Sequence, residues 1–240
     1  MARLNSKFGS ELHLLRILGR HRAYFDAKLL AVTGADHIEW LDFPSGEMRR
    51  PSGEMRRDIS ENVLWDREWQ QLNFLPPGDS GASAWKGAWP THRPGPNWDA
   101  IGRLRFGGTQ EWLLVEAKAN FQELLSDCQA ADPASVQRIS QTLNATKLAL
   151  GVAQTCDWTR PYYQFCNRLA ALQVLNRAGS AARLLYVYFC GDVGDQRRTC
   201  PANEEGWRSE LGRQDRHVGL TNHPLLDRIH KLFIDVQCRV

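Results

Sequence analysis

The sequence predicts an α/β (α+β) domain with a mixed central sheet flanked by helices. Three observations lead to this class: helical and strand-like segments alternate, a hairpin pattern surrounds Gly107 and Gly108, and Leu184–Cys190 is an apolar run typical of a strand buried on both faces. Of the 240 residues, 42% are hydrophobic and 24% are charged, which is a globular composition. Because no linker divides the predicted elements, we expect one domain over residues 1–240.

The first half of the chain opens with a predicted helix. Ser10 is a suitable N-cap, apolar residues follow at every third or fourth position, and Gly34 is expected to end the helix. His37–Phe43 alternates loosely enough for a strand, and Asp58–Leu72 is expected to be a second helix. Pro, Gly and Ser are dense between 76 and 96, which predicts a long loop.

The second half contains the strongest hairpin signal. The strands Trp98–Phe106 and Glu111–Lys118 flank two glycines, and we take 107–110 as the loop. The remaining predicted elements are a helix from Asp132 to Gly151, a helix from Pro161 to Gly179, the strand Leu184–Cys190, and a short helix with an apolar end over Pro224–Val236.

A tandem repeat interrupts the first half, because the heptad PSGEMRR occurs twice over residues 44–57. Two copies of seven residues are too short for a solenoid, and Pro and Gly in each copy predict a loop. Replication slippage or an artefact is one explanation of the duplication. The other is a mobile arm whose arginines, Arg49 and Arg56 among them, contact phosphate groups.

Charge and cysteine content limit the class of partner. Thirty Lys and Arg against 27 Asp and Glu give a net charge of +3, so a polyanion such as DNA would have to be held locally. The longest apolar run is far shorter than the ~20 residues of a membrane helix, and the first ten residues lack a signal-peptide apolar region. The six cysteines form no CxxC pair. We therefore expect a soluble, cytoplasmic protein with no membrane partner.

Three charged residues converge in the predicted hairpin. If Phe106 faces Glu111, Asp99 lies opposite Lys118 on the face that also carries Glu116. Two carboxylates there would repel each other, and Mg²⁺ or Mn²⁺ would relieve the repulsion. Lys118 could then polarise a metal-bound water. A purely structural role for the same residues stays open, because an acidic residue two positions before a lysine is common by chance.

The segments Asn97–Asp99 and Glu116–Lys118 resemble the signature of the PD-(D/E)XK, or restriction-endonuclease-like, nuclease superfamily. The resemblance implies an αβββαβ core with helical insertions. It implies that Asp99, Glu116 and the carbonyl of Ala117 bind the metal and that Lys118 serves the attacking water. Family members often add a glutamate from the first helix, here Glu11, and a glutamine from a later helix, here Gln141.

Further segments, VEAKANFQEL, YYQFCNRLAALQVL, LLYVYFCGD and PLLDRIHKLFIDV, are similar to a group of uncharacterised bacterial proteins placed in this superfamily. The resemblance implies a magnesium-dependent nuclease acting on DNA. The alternatives are a catalytically inactive nucleic-acid-binding or assembly protein with the same fold and a structural module built on the tryptophans. A homodimer stays open, and the absence of a phosphate loop or dinucleotide fingerprint argues against an organic cofactor.

Two further sets of residues have alternative interpretations. Arg103 could contact DNA or lie on a solvated strand face. Trp85, Trp89 and Trp98 could stack on an unpaired base, but core packing is the favoured interpretation.

Overall fold

The computed structural model describes residues 9–41, 68–90, 95–194 and 197–237. Within these ranges the helices are α1 (Ser10–Arg20), α2 (Arg22–Thr33), α3 (Ser80–Ala88), α4 (Pro133–Ala149), α5 (Tyr163–Arg177) and α6 (Glu204–Val218). The strands are β1 (His37–Trp40), β2 (Trp69–Gln70), β3 (Asn97–Trp98), β4 (Ala100–Phe106), β5 (Thr109–Lys118), β6 (Ala182–Cys190) and β7 (Ile229–Asp235). Short 3₁₀ helices cover Phe121–Leu124 and Pro224–Arg228.

Five of these strands form a mixed sheet in the order β1-β4-β5-β6-β7. The pairs β1–β4 and β4–β5 are antiparallel, whereas β5–β6 and β6–β7 are parallel. Parallel neighbours require a crossover, and α4 with α5 supplies the first while α6 supplies the second. The mixed sheet with flanking helices confirms the predicted α/β class.

Each face of the sheet has its own hydrophobic core. Along β5, Leu113, Val115 and Ala117 face a cluster that includes the buried sides of α1 and α2. Leu114 faces the other cluster, which contains residues of α3, α4, α5 and α6. Because side chains alternate along a strand, Glu116 extends toward the α5 side of the sheet.

The predicted first helix is two helices, because the chain leaves helical geometry at His21 (φ −131°, ψ 32°). The apolar spacing continues across the break, since Leu14 and Ile17 of α1 and Phe25 of α2 enter the same core. Gly34 ends α2 in the left-handed conformation (φ 72°), as predicted.

The predicted loop over 76–96 is wrong over the length of α3. The Asp79 carboxylate caps this helix by accepting hydrogen bonds from the backbone N–H groups of Gly81 (2.7 Å) and Ala82 (3.2 Å). Gly81 is required by packing, because a Cβ there would lie 2.6 Å from a methyl group of Leu175 in α5. A close approach of two helices, rather than a turn, explains the glycine.

The predicted helix Asp58–Leu72 is wrong where the structure describes it. Trp69 and Gln70 form β2 and pair with Trp98 and Asn97 of β3. Residues 58–67 lie outside the described ranges, as does the duplicated segment 44–57 with Arg49 and Arg56.

The C-terminal region contains two elements that the sequence interpretation missed. Helix α6 buries Trp207, Leu211 and Val218 at helical spacing. The apolar end of the predicted short helix is strand β7, which extends the sheet. By contrast, α4, α5 and β6 confirm the predicted helices and buried strand.

Among the described residues, no helix combines the length and the apolar character needed to cross a membrane.

Candidate active site

The hairpin that carries the predicted site has a shorter loop than expected. Phe106 pairs with Thr109, so only Gly107 and Gly108 connect the strands, and Gly107 takes a positive φ of 56°. The expected pairing of Phe106 with Glu111 is therefore wrong by two residues. Because side chains alternate along a strand with a period of two, a register error of two residues leaves each side chain on the predicted face of the sheet. In the observed register Asp99 lies near Glu116, because its backbone N–H donates to the carbonyl of Val115 at 3.0 Å.

Glu116 is the centre of a buried ionic cluster. Its side chain is only 4% exposed. One carboxylate oxygen accepts a hydrogen bond from Lys118 Nζ at 2.6 Å, and the other accepts two from the Arg168 guanidinium, at 3.0 Å from Nε and 2.8 Å from Nη2. Burial alone would raise the pKa of Glu116, but the charges and hydrogen bonds of Arg168 and Lys118 hold that pKa below its usual value.

Lys118 is placed by helix α5 as well as by Glu116. Its ammonium group donates a second hydrogen bond to Oε1 of Gln164 at 2.7 Å. Gln164 lies in the first turn of α5, where its backbone N–H donates to the Ser126 hydroxyl at 2.7 Å. The segment after β5 thereby fixes the start of α5 against the end of β5.

Arg168 is held at four points. Besides Glu116, its guanidinium donates to Oδ1 of Asn167 at 2.7 Å and to the backbone carbonyl of Asn97. Its planar group also lies 5.2 Å from the centre of the Trp98 ring. These contacts leave the arginine 3% exposed and bind β3, β5 and α5 to one another.

Asp99 is half-buried and faces a different environment from Glu116. One carboxylate oxygen accepts the backbone N–H of Ala117 at 2.6 Å. Burial and the negative charge of Glu116 raise the pKa of Asp99 well above its usual value, and Lys118 and the Ala117 N–H oppose this only in part. Asp99 is thus an acid whose ionised form lacks sufficient compensation.

The donor groups fit a hard divalent cation. Asp99 and Glu116 offer carboxylate oxygens, which Mg²⁺ prefers as protein ligands, and a cation beside Asp99 would compensate the charge that burial penalises. Both oxygens of Glu116 already accept hydrogen bonds from Lys118 and Arg168. A cation ligated by Glu116 would therefore share or replace one of these contacts.

The two weaker predicted ligands lie elsewhere. Glu11 is in the first turn of α1, whose buried side packs on the face of the sheet opposite Glu116. Gln141 is on the exposed face of α4, in a groove between α4 and α5 that also contains Arg138 and Arg177. The glutamine that contacts Lys118 is instead Gln164.

The arginine and tryptophan predictions have different outcomes. Arg103 lies over the Trp112 ring, 4.7 Å from its centre, and its role toward DNA stays a prediction. Trp85, Trp89 and Trp98 are at most 2% exposed, which confirms the core interpretation.

Sequence reasoning missed Gln164, Asn167 and Arg168, the polar residues of α5 that complete the cluster. A signal was present in the sequence. These residues recur at positions i, i+3 and i+4, which lie together on one side of a helix, within an otherwise apolar segment. Polar residues on one side of a helix that is buried nearly all round require partners inside the protein.

The sequence and the fold were also compared with known proteins. No protein-family model matches the chain, and neither a curated protein nor a solved structure matches it. The chemistry of this site is therefore argued from its own residues.

Proposed function

We propose that this chain is a magnesium-dependent nuclease that hydrolyses phosphodiester bonds in DNA, with Asp99, Glu116 and Lys118 in its active site. The observation that carries the proposal is the convergence of two neighbouring carboxylates and an ammonium group at the end of the central strand, with Lys118 Nζ 2.6 Å from Glu116. Buried charges are costly unless they are paired with one another or bind an ion, and in this set the charge of Asp99 is the one that the protein compensates least.

The arrangement of elements supports a restriction-endonuclease-like core. Helix α1, strands β1, β4 and β5, helix α5 and strand β6 follow the αβββαβ order of that superfamily. The three strands are antiparallel neighbours, and β6 lies next to β5. Helices α2, α3 and α4 are insertions in this interpretation.

Each residue of the cluster has a role in this proposal. Asp99 and Glu116, with the Ala117 carbonyl, would hold Mg²⁺ or Mn²⁺, and the bound cation would supply a Lewis acid that stabilises charge on the phosphate. Lys118 carries three donor hydrogens, of which two are directed at Glu116 and Gln164. Its remaining donor would orient a water. Arg168 keeps the Glu116 carboxylate ionised and fixed in place.

The test is cleavage of supercoiled plasmid DNA by the purified chain with Mg²⁺, with Mn²⁺ and with EDTA. We expect cleavage that requires the divalent cation and that falls at least about a hundredfold in Lys118→Met, in keeping with the loss of an electrostatic or acid–base group. Lys86→Ala, a change of an exposed lysine on α3, is the charge-matched control and should cleave normally. Full cleavage by Lys118→Met would rule out the assignment.

One observation favours a second candidate function, a nucleic-acid-binding protein that keeps the fold without catalysis. Arg168 and Lys118 together occupy both oxygens of Glu116, so the protein already neutralises the carboxylate that a cation would bind. This candidate predicts DNA binding of equal affinity with Mg²⁺ and with EDTA, and no cleavage. Calorimetric titration with Mg²⁺ separates the two, because only the nuclease should bind the ion and lose that binding in Glu116→Gln.

We also propose a cytoplasmic location. The five described cysteines are free thiols, as a reducing compartment favours: Cys128, Cys156, Cys166, Cys190 and Cys200.

A further inference from the structure

A cavity of about 290 Å³ lies where the end of α3 meets α4 and α5. Its volume is at the lower end of the range for small-molecule pockets. Its lining includes Trp89, Asp127, Gln129, Ile139 and Tyr163. We call it the Tyr163 cavity.

The lining of the Tyr163 cavity suits an uncharged planar group. The ring of Tyr163, which is half-buried, is the aromatic surface available to a ligand, and the buried side chains of Trp89 and Ile139 complete the apolar lining. Asp127 and Gln129 add a carboxylate and an amide, and both residues are exposed. No lysine or arginine is among the described residues that line the cavity, and the carboxylate would repel a phosphate.

The Tyr163 cavity is connected to the candidate active site through α5. Tyr163 precedes Gln164, the partner of Lys118. Tyr163 lies one helical turn before Asn167 on α5, and the amide oxygen of Asn167 accepts a hydrogen bond from Arg168 at 2.7 Å. Arg168 in turn holds Glu116. A group bound against Tyr163 is therefore between one and two turns of α5 from the arginine that fixes the proposed metal ligand.

We propose that the Tyr163 cavity receives one unpaired, amino-bearing nucleobase of the DNA strand, with the Asp127 carboxylate accepting a hydrogen bond from the exocyclic amino group. Aromatic side chains stack on unpaired bases, and a carboxylate is a natural acceptor for the cytosine amino group. Thymine presents a carbonyl oxygen at the same position, so Asp127 disfavours it. The inference rests on the proposed function, because it gives that nuclease a substrate with at least one unpaired base beside the scissile strand.

The experiment compares fluorescently labelled cytosine and thymine homopolymers of equal length. Their affinities for the full chain are measured by anisotropy in EDTA, where no cleavage occurs. We expect the cytosine strand to bind about tenfold more tightly than the thymine strand. Asp127→Asn should bring this ratio close to one, because the introduced amide can donate to thymine and can still accept from cytosine. Asp227→Asn, a change of an exposed aspartate outside the cavity, should keep the wild-type ratio.

Several results would overturn the inference: equal wild-type affinities for the two strands, a ratio that survives Asp127→Asn, or binding of neither strand. The fate of the proposed function is measured separately, as Mg²⁺-dependent cleavage of the labelled cytosine strand and of supercoiled plasmid by the wild-type chain. Cleavage without a base preference removes the cavity proposal alone, whereas a base preference without any cleavage removes the nuclease proposal alone.

Discussion

At the scale of single residues, the cluster shows how one protein gives neighbouring carboxyl groups opposite properties. Glu116 is compensated by Arg168, which donates two hydrogen bonds to one carboxylate oxygen, and by Lys118 on the other oxygen, so its pKa falls. Asp99 receives only one backbone N–H and a more distant charge, so burial raises its pKa. Carboxylates whose environments drive their pKa values apart are a common feature of catalytic sites. The two pKa values separate because Arg168 donates its hydrogen bonds to Glu116.

Arg168→Met should remove most of the compensation of Glu116. The variant would leave a buried carboxylate with one cation, and we expect a loss of about 3–5 kcal/mol in the free energy of unfolding. Adding Glu116→Gln in the same chain should restore part of the loss, because the uncompensated charge is then gone. Urea unfolding of both variants measures this, and an Arg168→Met chain as stable as the wild type would contradict the role of the pair.

Asp99→Asn should stabilise the metal-free chain at neutral pH by about 1 kcal/mol, a usual size for relief of strain at a functional site. The amide oxygen can still accept the Ala117 N–H, and the buried charge is absent. Because the folded pKa of Asp99 is raised, the wild type loses stability as pH rises through that pKa. The advantage of the variant should therefore be present at neutral pH and disappear in acid, where Asp99 is protonated. Urea unfolding in EDTA as a function of pH measures it, and a variant less stable than the wild type at neutral pH would refute the expected cost of the charge.

At the scale of elements, the predictions succeeded where local chemistry decides and failed where packing decides. The Asp132 cap, with Pro133 after it, was enough to place the start of α4, because both act within one turn. Helix α3 could not be predicted, because glycines in this segment are typical of a loop. In the structure, Gly81 permits close contact with α5. Only part of the ionic cluster could be predicted, because packing decides which residues meet there. The arginine that pairs with Glu116 is 52 positions away in the sequence.

Two glycines of α3 give a matched test of this packing. Gly81→Ala should lower the free energy of unfolding by about 1–3 kcal/mol, because the added methyl group would press on Leu175 and Ser180. Gly87→Ala, where nothing lies within 4 Å of the new Cβ, should raise it by about 0.5–1 kcal/mol through better helix propensity. Thermal or urea unfolding distinguishes them, and equal effects of the two changes would contradict the close approach of α3 to α5.

Asp192 connects the start of α1 to the chain just after β6. Its carboxylate accepts the backbone N–H groups of Gly9 (2.8 Å) and Gly194 (2.9 Å) and lies 3.0 Å from His13 Nε2. Burial would raise the pKa of Asp192, but these donors outweigh it and lower the pKa. The carboxylate therefore stabilises the fold above its unfolded pKa, and this contribution is lost as pH falls through the lowered folded pKa.

Asp192→Asn should lower the free energy of unfolding by about 1.5–3 kcal/mol at neutral pH, the usual contribution of hydrogen bonds to a charged group. The difference in the free energy of unfolding between variant and wild type should shrink as the pH approaches and passes below about 3.9, the unperturbed pKa of aspartate. Urea unfolding of both chains across this range tests the prediction. A difference that stays constant from neutral pH to below that value would show that the carboxylate charge does not matter there.

At the scale of the whole molecule, the sheet separates two cores, and the candidate site lies on the α5 side. On the α1 and α2 side, Leu113, Val115 and Ala117 of β5 enter an apolar core, whereas the α5 side admits a charged cluster among large apolar residues. The α/β class could be predicted because it depends on the order of elements. The register of the hairpin could not, because four-residue and two-residue loops both fit two glycines between alternating strands, and only the assembled sheet distinguishes them.

The proposed metal site can be tested by a crystal structure of the chain soaked in Mn²⁺, with anomalous scattering used to locate the ion. We expect an ion bound between Asp99 and Glu116, with the contact from Arg168 or Lys118 to Glu116 lengthened or replaced. A structure at saturating Mn²⁺ in which Glu116 keeps all its contacts to both cations, and no ion lies beside Asp99, would contradict the proposed site.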